Sequence, residues 1–358
     1  MKRKSSLLGN SQDNKVHLPV GEALSRNRSD TRRVQCTVCP RNCNMDEGQT
    51  GFCHVRKNVS GKIVSRTYGY NTGLTVDPIE KKPLYHFYPS STILSFGTLG
   101  CNMGCQFCQN YHLSRSKGEP GELNASKPAE IARTALKQGC KSVGFTYNEP
   151  TIFLEYAIDT AIECHQLSVK TVAVSAGYIN PEAREEFFIQ MDGANIDLKG
   201  FSEEFYKKNC FAELGPVLET IKYVGRETSC WLELTTLLIE GENDNDDMLK
   251  RQCAWIASEV GISTPLHFSA FYPAYKFTHK TPTRPETLFR AREIALKEGL
   301  RYVYCGNITD HETSTTFCHH CGEAIIKRGA GGRGIAEYNL EGGGHCKFCG
   351  TLCAGRFD

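Results

Sequence analysis

Three cysteines, Cys101, Cys105 and Cys108, stand in a C-x3-C-x2-C spacing within the stretch 97–110, with Phe107 directly before the last of them. A tetrahedral zinc site usually takes four protein ligands and draws its cysteines from C-x2-C pairs. Three thiolates on a short glycine-bearing loop suit a different object, a cubane iron–sulfur cluster, of which they hold three irons. The fourth iron then has no protein ligand. Like the free position of a catalytic zinc, it can bind a cofactor or a substrate.

Two further cysteine sets flank this loop. Cys36, Cys39, Cys43 and Cys53 form a C-x2-C-x3-C-x9-C pattern in a Gly- and Pro-containing segment. Four soft ligands leave no open position, which predicts a structural site. Its metal is open between zinc and a second iron–sulfur cluster, with a disulfide-stapled loop as the plain alternative. Near the C-terminus, Cys318 and Cys321 form one C-x2-C pair and Cys346 and Cys349 another, with glycine-rich sequence between. That arrangement predicts a closed zinc-ribbon site, although His319, His320 and His345 are alternative ligands and a rubredoxin-like iron would use the same pattern.

The chain has 18 cysteines in 358 residues. Those outside the three sets (Cys140, Cys164, Cys210, Cys230, Cys253, Cys305, Cys353) are scattered singly and read as small core residues. A secreted disulfide scaffold would be small and loop-rich. Metal sites in a reducing compartment, the cytoplasm, fit better. With 42 basic and 40 acidic residues the formal charge is +2, which gives no electrostatic reason to expect nucleic acid. No apolar run approaches the roughly 20 residues of a membrane span, so no membrane is expected either. Residues 1–33 are polar and basic and predict a flexible tail.

Strand-like and helix-like segments alternate from residue 92. Strands are expected at 92–96, 142–147, 170–175, 194–199, 230–239, 266–271 and 302–305. Helices are expected at 126–139, 151–167, 181–190, 246–260 and 285–298, and helical segments over 202–224. Such alternation indicates an α/β fold with a parallel sheet. Several strands carry polar residues on one face: Asn195, Asp197 and Lys199; Trp231, Glu233 and Thr235; His267 and Ser269. A partial barrel with a polar interior accounts for this, and a bound charged cofactor would satisfy that interior. The expected organisation is therefore a tail (1–33), a Cys-rich segment (34–90), a partial barrel (91–310) and a zinc-ribbon-like tail (311–358).

The cluster loop, C-x3-C-x-aromatic-C after a first strand, resembles the signature of radical S-adenosylmethionine (radical SAM) enzymes. The wider sequence is similar to the radical SAM member of the AmmeMemoRadiSam system, related to pyruvate formate-lyase activating enzymes. The similarity covers roughly 34–358 and rests on the cluster loop, Asp77-Pro-Ile-Glu-Lys-Lys-Pro-Leu-Tyr-His86, Tyr147-Asn-Glu-Pro150, Asp197-Leu-Lys199, Tyr304-Cys-Gly-Asn307 and Gly355-Arg-Phe357.

This resemblance implies a (β/α)6-type partial barrel, a [4Fe–4S] cluster and SAM. It also implies cleavage of SAM to a 5′-deoxyadenosyl radical that abstracts hydrogen. It places Asn148 and Glu149 at the SAM ammonium, Ser175 at the ribose, Phe107 at the adenine and Lys199 at the SAM carboxylate, with Asp197 near the substrate or an accessory cation. Two departures stand out: Ala176 where relatives often have Asn, and Ala270 where they commonly have Arg. An activase relationship suggests a protein substrate and an electron donor as partners. A small-molecule substrate, or a non-catalytic iron–sulfur and zinc scaffold, are the alternatives.

Overall fold

The computed structural model describes residues 25–27, 33–117, 123–329, 332 and 334–358. The tail expected over 1–33 therefore lies almost wholly outside the described residues. Its fragment Ser25–Asn27 pairs antiparallel with Val34–Cys36.

An eight-stranded sheet forms the centre. Its strands are β1 (Thr75–Pro78), β2 (Thr92–Phe96), β3 (Ser142–Phe145), β4 (Lys170–Ser175), β5 (Gly193–Asp197), β6 (Trp231–Leu238), β7 (Leu266–Ala270) and β8 (Val303–Gly306). They are laid side by side in chain order. From β2 to β8 every neighbour is parallel, while β1 joins the β2 edge antiparallel. The two ends, β1 and β8, do not pair, so the barrel is open, as expected. It holds one parallel strand more than a six-unit barrel, and the antiparallel edge comes from the Cys-rich segment.

Six helices connect the parallel strands: α1 (Pro128–Lys137), α2 (Leu154–Gln166), α3 (Pro181–Phe188), α4 (Leu214–Glu227), α5 (Asp246–Glu259) and α6 (Pro285–Lys297). Proline occupies the first position of α1, α3 and α6, where its missing N–H costs nothing. Asn245 caps α5 by accepting from Met248 N at 2.9 Å. Apolar strand residues such as Ala194, Ile196, Leu234 and Phe268 are fully buried. They share a strand face opposite the polar residues, as the period of two requires.

The helical segments expected over 202–224 are three, separated by a break. A short turn (Glu203–Phe205) runs into a π-helical turn (Tyr206–Cys210), Phe211 takes φ +53°, and α4 starts only at Leu214. Similarly, the strand expected to reach 147 stops at Phe145, and Tyr147 takes φ +69°.

A larger correction concerns the polar interior. A bound charged cofactor was expected to satisfy that interior, yet the chain itself meets the lumen-lining Glu233 and His267 and the amide nitrogen of Asn195. The segment after β1 crosses the N-terminal mouth of the barrel as a strap. Asn195 Nδ2 donates to Pro83 O at 2.8 Å. Glu233, fully buried, accepts from Tyr85 N (2.9 Å), His86 N (2.7 Å) and Trp231 Nε1 (3.1 Å), and pairs with His267 Nε2 at 2.7 Å. Unpaired backbone N–H groups entering a barrel need an acceptor, and a carboxylate supplies several.

The C-terminal segment locks this strap. Arg328 is 1% exposed and donates to Tyr85 O at 2.6 Å and Ser314 O at 2.9 Å. His86 Nδ1 pairs with Ala354 O at 2.7 Å.

Candidate functional site

The cluster loop leaves the C-terminal end of β2, the end of a parallel sheet at which ligands bind. Its conformation is imposed by neighbours. Asn148 Nδ2 donates to Thr98 Oγ1 (3.1 Å) and Gly100 O (3.0 Å), while its Oδ1 accepts from Thr98 N at 3.1 Å. Asn110 Nδ2 donates to Tyr147 O at 2.7 Å. On the far side Gly104 N and Gln106 N donate to Cys210 O and Asn209 O, each at 2.9 Å. The break within 202–224 thus presents backbone carbonyls that brace the loop.

Held in this way, Cys101, Cys105 and Cys108 line one cavity of about 480 Å³, together with Phe107, Asn148, Glu149, Ser175, Asp197 and Lys199. The structure therefore brings together every residue expected at the central site. Thr235 Oγ1 on the same wall is buried without a hydrogen-bond partner. Three converging thiols, an ion pair and an orphaned hydroxyl around one cavity fit a three-cysteine cluster with a polar, charged cofactor beside it.

Individual placements differ from the expected contacts. Glu149 is 2% exposed, and its carboxylate accepts from Thr151 N (3.2 Å), Thr151 Oγ1 (2.8 Å), Ser175 Oγ (2.7 Å) and Ala176 N (2.7 Å). Burial pushes its pKa up, against these hydrogen bonds. The Ser175 hydroxyl donates to Glu149 and accepts from Gly177 N at 3.0 Å, so its proton is committed within the fold. Asn148 spends its carbonyl on the loop itself. In this structure Asn148, Glu149 and Ser175 tie the ends of β2, β3 and β4 to one another. Phe107 is 3% exposed, packed 6.0 Å from both Phe205 and Phe277 by ring centroids.

Lys199 Nζ lies 2.8 Å from Asp197 Oδ2, at the lip of the cavity. Burial disfavours the ammonium, but Asp197 and the Cys105 sulfur outweigh it and hold the lysine firmly charged. A fixed cation two residues past a half-exposed carboxylate at the end of β5 can receive an anionic group without ordering a flexible side chain anew.

The sequence reading of residue types missed three features. Asp77 holds Lys81 (2.8 Å) and Lys82 (2.9 Å) and accepts from Tyr147 OH at 3.1 Å, placing two cations on the cavity rim. The only signal was the Asp77–His86 string. Cys210, read as a core residue, lies within hydrogen-bonding reach of Cys105. Arg41 donates to Asn102 O and Phe211 O, joining the Cys-rich segment to the loop. Of the two departures, Ala176 donates its N–H to Glu149, and Ala270 is fully buried, its carbonyl accepting from Asn307 Nδ2 at 3.1 Å.

The C-terminal quartet is also assembled. Cys318 and Cys349 sulfurs are 3.6 Å apart, Cys321 and Cys346 sulfurs 3.8 Å, and all four fall within 4.8 Å of one another. A tetrahedral ion with about 2.3 Å bonds to sulfur sets an edge of about 3.8 Å, so the cage has single-ion dimensions.

Residues 96–252 match the family model described as the radical SAM superfamily. A protein of Methanocaldococcus jannaschii, Uncharacterized protein MJ0808, is 40% identical over 329 residues, 92% of this chain and 97% of its own length. The chain belongs to the radical SAM superfamily. A 4-hydroxyphenylacetate decarboxylase activating enzyme of Clostridioides difficile is 28% identical over 180 residues, 47% of this chain and 56% of its own. The crystal structure of a domain of pyruvate-formate lyase-activating enzyme from Bacteroides vulgatus aligns with 46% of this chain and 99% of its own, at 20% identity and a TM-score of 0.41.

Radical SAM membership implies a [4Fe–4S] cluster and SAM, and the cavity described above has the donors for both. Among the described residues no helix is long and apolar enough to cross a membrane.

Proposed function

We propose that this radical SAM enzyme abstracts hydrogen from a protein, in the manner of the activating enzymes it resembles. The observation that carries the reading is the convergence of Cys101, Cys105, Cys108, Asp197 and Lys199 on one cavity. When bound, a reduced cluster with SAM supplies a 5′-deoxyadenosyl radical. The chain's own part is to hold three irons, to offer the Lys199 ammonium to the SAM carboxylate and to leave the Asp197 carboxylate toward the substrate. Glu149, though hydrogen-bonded within the fold, lies on the wall where the ammonium would sit. Phe107 closes the floor and helps exclude water.

The 28% identity to an activating enzyme and the Asp197-x-Lys199 pattern support a protein substrate. Reduction of the cluster calls for a low-potential one-electron donor. The C-terminal cage is assigned to zinc, and the thiol-rich chain to a reducing compartment, the cytoplasm. Neither nucleic acid nor membrane is proposed as a partner.

One observation favours a small molecule instead. A second cavity of about 500 Å³, lined by His267, Ser269, Tyr272 and Asn307 among others, adjoins the first. Its size lies in the roughly 300–1,000 Å³ range of small-ligand pockets.

Anaerobically reconstituted, reduced protein should convert SAM to 5′-deoxyadenosine, and Cys105→Ala should abolish the conversion. Absence of product from the intact protein would leave only the scaffold reading. A glycyl radical appearing in an added partner protein by spin resonance separates the activase from a small-molecule enzyme.

A further inference from the structure

We infer that Cys36, Cys39, Cys43 and Cys53 hold a second, fully ligated iron–sulfur cluster of the cubane type rather than a zinc ion.

The four cysteines surround a single void of about 20 Å³, walled by Val38, Met45 and Ile152. The four thiols thus stand apart around an open space. A zinc ion leaves no such room, because four sulfurs about 2.3 Å from one centre nearly touch. The same chain provides the comparison. Its C-terminal quartet closes to sulfur contacts of 3.6 and 3.8 Å and, among the described residues, is the only group of three or more ligand atoms lying within 4.8 Å of one another. The N-terminal thiols converge on one void yet stand wider than that. Four irons and four sulfides interposed between thiolates require such a spacing.

The surroundings suit a buried anionic cluster. Arg56, 2% exposed, lines the void beside Cys36, and its Nε is buried with no hydrogen-bond partner. Asn102, fully buried, stands on the same wall. A guanidinium N–H left over beside four thiols is a donor in want of an acceptor, and a cluster sulfide supplies one.

Position adds a consequence. Asn102 sits in the central cysteine loop between Cys101 and Cys105, so that loop forms part of the second site's wall. Gly100 packs its backbone, at φ +82°, directly against Cys53 O, where any side chain would collide. With four protein ligands and no open iron, the second cluster cannot bind a substrate. What remains to it is one-electron exchange, next to the cluster that has to be reduced.

The test separates the two sites. In a Cys101→Ala/Cys105→Ala/Cys108→Ala variant, anaerobic reconstitution with ferrous iron and sulfide should leave about four irons and four sulfides per chain, all at the N-terminal site. The intact protein should hold about twice that. Two electron-spin signals should appear on reduction of the intact protein, and SAM should perturb only one. Adding Cys39→Ser and Cys53→Ser to the triple variant should remove the residual iron. If the triple variant instead binds two zinc ions and no sulfide, or if the four thiols are recovered as disulfides, the inference is overturned. Should the triple variant fail to fold, the intact protein decides: about four irons and two zincs also overturn it. None of these counts depends on SAM turnover, so a failure of the proposed enzymatic function would not mimic a failure here.

Discussion

Arg56 and Glu155 meet in a two-pronged ion pair, Nη1 to Oε1 at 2.9 Å and Nη2 to Oε2 at 2.8 Å, that joins the Cys-rich segment to helix α2 of the barrel. The guanidinium side chain is 3% exposed and the carboxylate 18%. Removing one partner leaves the other charge buried without compensation, which costs about 3–5 kcal/mol. Arg56→Met and Glu155→Gln should each lower stability by that order, and the double variant by less than their sum. Urea unfolding of the four proteins measures this, and strict additivity would mean the pair is not coupled.

Asn148 is a positioning residue for the cluster loop. Asn148→Ala removes three hydrogen bonds to Thr98 and Gly100. Reconstituted iron at the central site should become labile, with loss to a chelator accelerated about tenfold or more, for roughly 1.5 kcal/mol of lost restraint. Asn148→Asp keeps the acceptor and should fall between the two. Equal chelation rates in all three proteins would contradict the clamp.

Lys199 is a cation paired at the cavity lip with the half-exposed Asp197 carboxylate. Lys199→Met should weaken SAM binding about 10- to 100-fold, the worth of one charge-assisted hydrogen bond, with iron content unchanged. Equilibrium binding of SAM to the reconstituted variant gives the comparison. Undiminished affinity would assign the lysine to the Asp197 pair alone.

His86 makes the strap sensitive to acid. Burial holds its pKa down at about 4, with the ring packed between Ala354 O and the Tyr304 hydroxyl, 2.5 Å away. Its folded pKa lies below the unfolded value near 6.5, so between these values the unfolded chain binds the extra proton. Stability from this group is complete above about pH 6.5 and falls as the pH drops toward 4. Going from pH 7 to 5 should cost about 2 kcal/mol through His86. His86→Gln should reduce that pH dependence, as followed by denaturant unfolding at both pH values. An unchanged slope would exclude the ring as its source.

Denying the C-terminal cage its metal ion should loosen more than the tail. Cys318 and Cys346 belong to the same buried cluster as Tyr85, Tyr302 and Tyr304, and Arg328 reaches across to the strap. A chelator should lower the thermal midpoint by several degrees and raise hydrogen exchange at 84–88 as well as at 318–349. A rise in exchange confined to 318–349 would show the two to be independent.

Much of this protein could be read from residue order because the signals are local. Cysteine spacing names a ligand set, a period of two puts Asn195, Asp197 and Lys199 on one face, and proline and asparagine at helix starts mark α1, α3, α5 and α6. The alternation of strands and helices leads to an open parallel barrel in the same way. What the sequence by itself could not decide is how polar groups distant in the chain satisfy one another. Glu233 showed only as a residue lining a polar interior; that Tyr85 and His86, well over a hundred residues away, fill its oxygens is decided by the fold. The C-terminal cysteines close on single-ion dimensions and the N-terminal ones do not, although both show as four thiols in a row. Ligand identity is written in the chain; the distance between ligands is set by packing around them, and only the folded molecule has that.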